Sequence, residues 1–173
     1  MSSCCCPETP ADAMGPNHCP LSGSAGRAVD RQTVKALLTE HALARLTPGA
    51  YRFCPDADCE IVYFGSDAAR FTTADVRVGV WQKQQFGARQ VCYCFGESEE
   101  SIRAEIKAEG HSSAVARIRA HIAAGRCACE IRNPRGSCCL GDVIAAIERV
   151  TAVSIGTTAS PQPACLAEVA DVD

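Results

Sequence analysis

Aromatic residues are scarce in this 173-residue chain, at 5% with a single Trp, which argues against one large core built on aromatic rings. No apolar run approaches the ~18 residues that a membrane helix needs, so no membrane insertion is expected. The opening stretch MSSCCCPETPADAMG has neither a basic segment nor an apolar one. It does not read as a secretory signal, and a cytoplasmic chain is expected. Charge of one sign is also lacking. Lys and Arg number 17 against 20 Asp and Glu, and residues 151–173 hold the acids Glu168, Asp171 and Asp173 with no base. The remainder is balanced, so nucleic acid is not the expected partner. A glycine-rich phosphate loop, a nucleophile elbow and a carboxylate pair suited to catalysis are all missing. We therefore expect a binding or redox carrier protein, not a dedicated enzyme.

What the chain has is cysteine, thirteen in all, within an otherwise ordinary globular composition of 47% hydrophobic and 21% charged residues. An odd count in a chain not marked for export disfavours a disulfide scaffold. Cysteines at short spacings in such a chain more often hold metal. They stand at 4, 5, 6, 19, 54, 59, 92, 94, 127, 129, 138, 139 and 165, and only Cys165 is isolated.

Local signals divide the chain. Residues 1–29 are rich in Ser, Gly, Pro and Ala without periodicity and read as a loose arm. Asp30 and Thr39 are helix caps, and Val34, Leu37, Leu38, Ala42 and Leu43 form apolar faces behind them. Residues 50–64, AYRFCPDADCEIVYF, read as a β-hairpin. Residues 70–73 and 76–81 are short strand candidates, and polar residues 82–90 mark a boundary. Ser98 before Glu99 and Glu100 starts a helix that Gly110 ends. Ser112 or Ser113 starts another, closed by Gly125. Asn133-Pro134-Arg135-Gly136 suits a type I turn. Leu140, Val143, Ile144 and Ile147 define a last helix. The charged residues on these helices, Glu99, Glu105, Glu109, Arg103, Arg117, Arg119 and Arg126, read as a solvated face.

The cysteines fall into two sets. Cys54 and Cys59 flank an exposed polar turn that brings two sulfurs together, half of a tetrahedral zinc site. The other half is expected from the N-terminal arm, from Cys19 and the run Cys4-Cys5-Cys6. That run could also take soft ions such as Cu(I). The second set is Cys92-Tyr93-Cys94, Cys127-Ala128-Cys129 and Cys138-Cys139. A [2Fe–2S] cluster needs four thiolates, two per iron, and a C-x-C pair suits one iron. A second zinc site and a redox dithiol are alternatives. Histidines 41, 111 and 121 read as surface residues.

The stretches YRFCPDADCEIVYF, VCYCFG and GRCACEIRNPRGSCCLGD resemble the N-terminal domain of CopZ-type copper chaperones over residues 19–150. VCYCFG before an acidic helix start resembles the bacterioferritin-associated-ferredoxin-like (BFD-like) [2Fe–2S] domain. The resemblance implies an α+β fold, in which a small zinc-stapled hairpin subdomain with short helices precedes a helical BFD-like [2Fe–2S] subdomain. The implied layout is a Cys-rich arm at 1–18, a zinc subdomain at 19–81, a cluster subdomain at 90–152 and a disordered tail at 153–173. Carried over residue by residue, the cluster ligands are Cys92, Cys94, Cys129 and Cys139, with Cys138 as the rival to Cys139. Cys127 is a neighbour or a spare. The zinc ligands are Cys54, Cys59 and Cys19. The family often has C-P-x-C where this chain reads Cys19-Pro20-Leu21-Ser22, so Cys6 is taken as the fourth, with His18 as alternative. The chain lacks the heavy-metal-associated domain found in fused members.

The implied function is one-electron transfer coupled to copper handling, with Zn2+ and a [2Fe–2S] cluster as cofactors and Cu+ as a further candidate. Copper ion or a copper-carrying protein, and an electron donor not legible in the sequence, would be its partners. An iron or redox sensor and a thiolate trap for toxic metal are the alternatives. Small size leads us to expect the first half to depend on its metal for folding.

Overall fold

The computed structural model of the protein describes residues 17–85, 87 and 89–156. The first half is an antiparallel sheet in the order β1-β2-β3-β4, formed by Arg27–Val29, Tyr51–Phe53, Ile61–Gly65 and Arg70–Thr72. Two helices, α1 (Arg31–Leu37) and α2 (Glu40–Leu43), intervene between β1 and β2. Asp30 and Thr39 cap them, accepting from the backbone N–H of Gln32 and Ala42. Tyr51, Phe53, Tyr63 and Phe71 pack from the sheet against Val34, Leu37, Leu38 and Ala42.

This fold departs from the sequence reading in two places. Residues 27–29, placed in a loose arm, form β1. Three residues are too short to show periodicity, and it is pairing with β2 that makes them a strand. Residues 76–81 form no strand; only Val76 bridges to Leu38. The hairpin is thus the centre of a four-stranded layer with an apolar face covered by helices. That supporting layer is what an isolated hairpin lacks.

The second half packs α3 (Glu99–Glu109), α4 (Ala114–Ala123) and α6 (Leu140–Gly156) around a hairpin of β5 (Gln90–Cys92) and β6 (Glu97–Ser98). Ser98 and Ser101 form a reciprocal capping box at the start of α3, and Gly110 ends it at φ 78°, a left-handed conformation that glycine adopts without a Cβ penalty. Its core holds Val91, Ile102, Ala114, Ile118, Val143, Ala146 and Val150, together with Cys92 and Cys139. The last helix runs to Gly156, past the 152 boundary read from sequence.

The two cores meet along α1 and the short helix α5 (Cys129–Arg132). Thr33 Oγ1 donates to the Glu130 carbonyl at 2.5 Å, and buried Tyr63 donates to the Pro134 carbonyl at 2.8 Å. Gly136 has φ 64°, and a Cβ there would lie 2.9 Å from Thr33 Oγ1, so glycine serves both the turn and this approach.

Glu99 is not part of a solvated face. Its side chain is fully buried, with Arg89 at 2.8 Å, Arg149 at 3.0 Å and the Gly87 N–H at 3.2 Å. Both guanidinium groups also lie over the Trp81 ring, at 5.0 and 5.2 Å from its centre. Burial pushes the Glu99 carboxyl up, but Arg89, the Gly87 amide and Arg149 outweigh it and hold it below the usual range. The knot ties the segment around 81–89 to α3 and α6. Glu99→Gln should therefore cost about 3 kcal/mol at neutral pH, because it removes the buried carboxylate that offsets the charge of Arg89, itself largely buried. A carboxyl depressed in the fold contributes its full stability above its unfolded pKa of about 4.3, and loses it as the pH falls towards the folded value. Urea titrations should show the wild-type advantage constant above about pH 5 and shrinking below it.

Candidate metal centres

The first centre is built from a tight turn and a strand-to-strand loop. In residues 17–26, Cys19 N–H donates to the Ser24 carbonyl at 2.8 Å, and Gly23 N–H donates to the Cys19 carbonyl at 2.9 Å. Cys54 directly follows β2, and its N–H donates to the Val62 carbonyl at 2.9 Å. Asp56 Oδ1 accepts the Asp58 N–H at 3.0 Å, which shapes the turn to Cys59. Lys83 Nζ ties down the same turn, donating to the Asp56 and Cys59 carbonyls at 2.7 and 2.8 Å.

These elements bring the sulfurs of Cys19, Cys54 and Cys59, all buried, within 4.8 Å of one another. The Cys19 and Cys59 sulfurs are 3.7 Å apart. Burial pushes the Cys19 thiol up, but the backbone N–H groups of Ser22 and Leu21 outweigh it and lower its pKa. Cys59 is pushed up to about 11, chiefly by burial. The donor set fits a zinc ion, with amide donors prepared for thiolate. His18 is exposed and stands outside this group. Cys6, with the rest of the 4–6 run, lies outside the described residues. The residue at the open corner is Ser22, whose Oγ is 3.5 Å from Cys54 Sγ. Its place in the C-P-x-C spacing is the sequence signal for it.

The second centre sits where β5, α5 and the start of α6 converge. Cys94 and Cys129 have sulfurs 3.6 Å apart. Cys92 and Cys139 form the other pair: their mutual hydrogen bond, the largest influence on each, lowers Cys92 to about 6 and raises Cys139. Backbone N–H groups of Phe95 and Cys94 also favour the Cys92 thiolate. The Ala128 N–H lies 3.4 Å from Cys94 Sγ. Burial drives Cys129 up to about 12. The C-x-C arm thus faces the later cysteines, with the Cys94 and Cys129 sulfurs in contact. Tyr93 turns away, its hydroxyl donating to the Gly79 carbonyl at 2.7 Å and accepting the Trp81 N–H at 2.9 Å. Cys138 is exposed and Cys139 buried, while Cys127 is half-buried. Burial raises the Cys127 thiol, and so do the charges of Cys94, Cys138 and Cys92. His41, His111 and His121 join no metal-holding group among the described residues; His121 stacks on Phe95 at 4.1 Å.

A turn with inward amides and the cysteine-flanked tip of the central hairpin together hold three buried thiols. Residues 16–77 match the CopZ zinc binding domain. The chain is also 29% identical over 122 residues to the copper chaperone CopZ of Archaeoglobus fulgidus, covering 70% of this chain and 57% of that protein. It thus spans little more than half of that relative's length. The X-ray structure of the CopZ N-terminal domain from the same organism superposes with a TM-score of 0.62 at 27% identity, covering 74% of this chain and 95% of that one. Both similarities are longer than the 16–77 match and so reach beyond the zinc-binding region. The shared features are a mixed α/β architecture with an antiparallel sheet and a CopZ-like zinc-binding region.

The sheet has its own apolar face, so the first half does not hang on metal alone, contrary to the expectation from size. The cysteines pack in a separate small cluster with Ile61 and Phe64. A Cys54→Ser, Cys59→Ser double variant should lose amide-exchange protection in residues 19–26 and 54–60. Protection of Tyr63 and Phe71 should persist.

Proposed function

We propose that this protein is a CopZ-like zinc and iron–sulfur carrier that moves single electrons in the handling of copper. What supports this most is the presence of two thiol sets of different make-up in separate places: three sulfurs at the tip of the central hairpin, and four cysteines beside the helical core. The first set suits zinc and a structural task. The second suits a [2Fe–2S] cluster, which takes four thiolates, two per iron, and supplies one-electron storage when bound. Cys92 with Cys139 would hold one iron, and Cys94 with Cys129 the other. The CopZ similarity extending past the zinc region supports the same reading.

The surrounding residues prepare that chemistry. Amides at Cys94, Phe95 and Ala128 point at ligand sulfurs and offset negative charge. Arg132 Nη1 lies 3.5 Å from the Cys94 carbonyl and adds positive charge nearby. Cys92 and Cys139 are buried, whereas Cys94 is half-exposed, so electrons would exchange on the Cys94 side. A reduced cluster there would give one electron to an arriving Cu(II), becoming oxidised itself and leaving Cu(I), the form that soft thiolate carriers hold.

Anaerobically purified protein should contain about two irons, two sulfides and one zinc per chain. Its visible spectrum should be that of an oxidised [2Fe–2S] centre. Cys94→Ser or Cys129→Ser should abolish or strongly disturb that spectrum, and Cys127→Ser should leave it. Colourless protein with two zincs and no iron after anaerobic reconstitution would refute the cluster. The pre-reduced protein should convert about one Cu(II) per chain to Cu(I), trapped by a Cu(I)-specific chelator. A reduced cluster that leaves Cu(II) untouched would remove copper reduction from the reading.

A further inference from the structure

We propose that the fourth ligand of the zinc site is the Ser22 hydroxyl, so that the centre is three thiolates and one oxygen, with its weak corner on the 19–24 turn. This inference rests on the zinc half of the function proposed above. It replaces the expectation that Cys6 completes the site.

The distances carry it. Zinc bound by thiolates at ~2.3 Å and by oxygen at ~2.0 Å with tetrahedral angles requires sulfur–sulfur edges of about 3.8 Å and sulfur–oxygen edges of about 3.5 Å. The Cys19 and Cys59 sulfurs are 3.7 Å apart, and Ser22 Oγ is 3.5 Å from Cys54 Sγ. Both separations match the edge lengths of such a polyhedron, and the third sulfur lies within 4.8 Å of the other two. Ser22 also hydrogen-bonds with Cys19 through its side chain and backbone, so its oxygen borders two of the three sulfurs.

The hydroxyl's own bonding leaves a lone pair for metal. A serine hydroxyl has one proton to donate and two lone pairs to accept with. Ser22 Oγ accepts the Ser24 N–H at 3.3 Å. Its one proton is shared between two acceptors, Cys19 Sγ and Asp56, whose carboxylate also bonds with the Asp58 N–H and the Ser24 hydroxyl. Asp56 also accepts from Ser24 Oγ at 3.1 Å, which fixes it in place. The second lone pair of Ser22 Oγ remains for the ion. A carboxylate drawing on the hydroxyl proton makes the oxygen a better ligand, as outer carboxylates do for metal-bound histidines.

Chemically, the corner differs from the other three. A neutral or partly ionised hydroxyl holds zinc less firmly than a thiolate does. Metal therefore enters and leaves past Ser22, and a soft ion that prefers sulfur would keep the three thiolates and drop the oxygen.

The test is Co(II) substitution of the full chain, read by thiolate-to-cobalt charge transfer and by ligand-field bands. Each cobalt–sulfur bond adds to the charge-transfer intensity. Ser22→Cys should raise that intensity by about one third, as a fourth thiolate replaces oxygen. It should also slow zinc loss to a chelator by at least about tenfold. Asp56→Asn should speed zinc loss by about tenfold without changing the charge-transfer intensity. Ser22→Ala should keep that intensity and shift the ligand-field bands. A Cys4, Cys5, Cys6→Ser triple variant should match the wild type in both readouts. Loss of about one quarter of the charge-transfer intensity in the triple variant would overturn the proposal and leave the zinc reading standing. So would ligand-field bands that do not move in Ser22→Ala. If neither Co(II) nor zinc binds, the zinc reading itself fails.

Discussion

Ionised thiols repel one another, and bringing several of them to one buried place is the constraint on which this structure depends. The chain meets it by supplying donors before any ion arrives. At the first centre, amides of Leu21 and Ser22 face Cys19. At the second, amides of Phe95, Cys94 and Ala128 face Cys92 and Cys94. Where burial and neighbouring thiols outweigh the amide donors, as at Cys59 and Cys129, the thiol pKa rises instead. A site of this kind is poised between the two states, and a cation tips it by taking the place of the protons.

The scaffold sets the sulfurs from outside the clusters. Cys54 and Cys59 stand at the ends of paired strands, so the register of β2 on β3 fixes their separation. Lys83 then clamps the connecting turn from a segment that also carries Trp81 into the helical core. Cys139 immediately precedes α6, its carbonyl accepting the Val143 N–H at 3.0 Å, so its position follows the packing of that helix. The first centre is thereby tied to the segment that opens the second half. Tyr63 of the sheet and Thr33 of α1, bonded to carbonyls of Pro134 and Glu130, tie the first half to α5, which opens with Cys129, and to the turn after it.

Some of this arrangement was legible in advance because its cause is local. Asp30, Thr39 and Ser98 cap helices through contacts within three residues, and Gly110 stops one through its own backbone freedom. The hairpin at 50–64 follows from alternation along a short stretch. The failures are all long-range. β1 has no periodicity of its own and exists because β2 lies beside it. Glu99 looks like an ordinary first-turn acid, but Arg89 and Arg149 close over it from either side in sequence. Arg117 is exposed, as its place on a solvated face implied, and also pairs with Glu97 at 2.9 Å and Glu105 at 2.6 Å.

The sequence by itself determined that cysteine would gather in two sets, which turns would carry them and where the helices would start, since each of these rests on neighbours along the chain. Only the tertiary structure decided which sulfur faces which. Cys92 lies closer in sequence to Cys94 than to Cys139, yet the packing of β5 on α6 gives it the distant partner. Ser22 likewise reads as a gap in a cysteine pattern until the 19–24 turn folds against the loop after β2 and sets its oxygen beside Cys54. Spacing limits which ligands can meet, but the direction in which each side chain leaves its backbone is set by the packing around it.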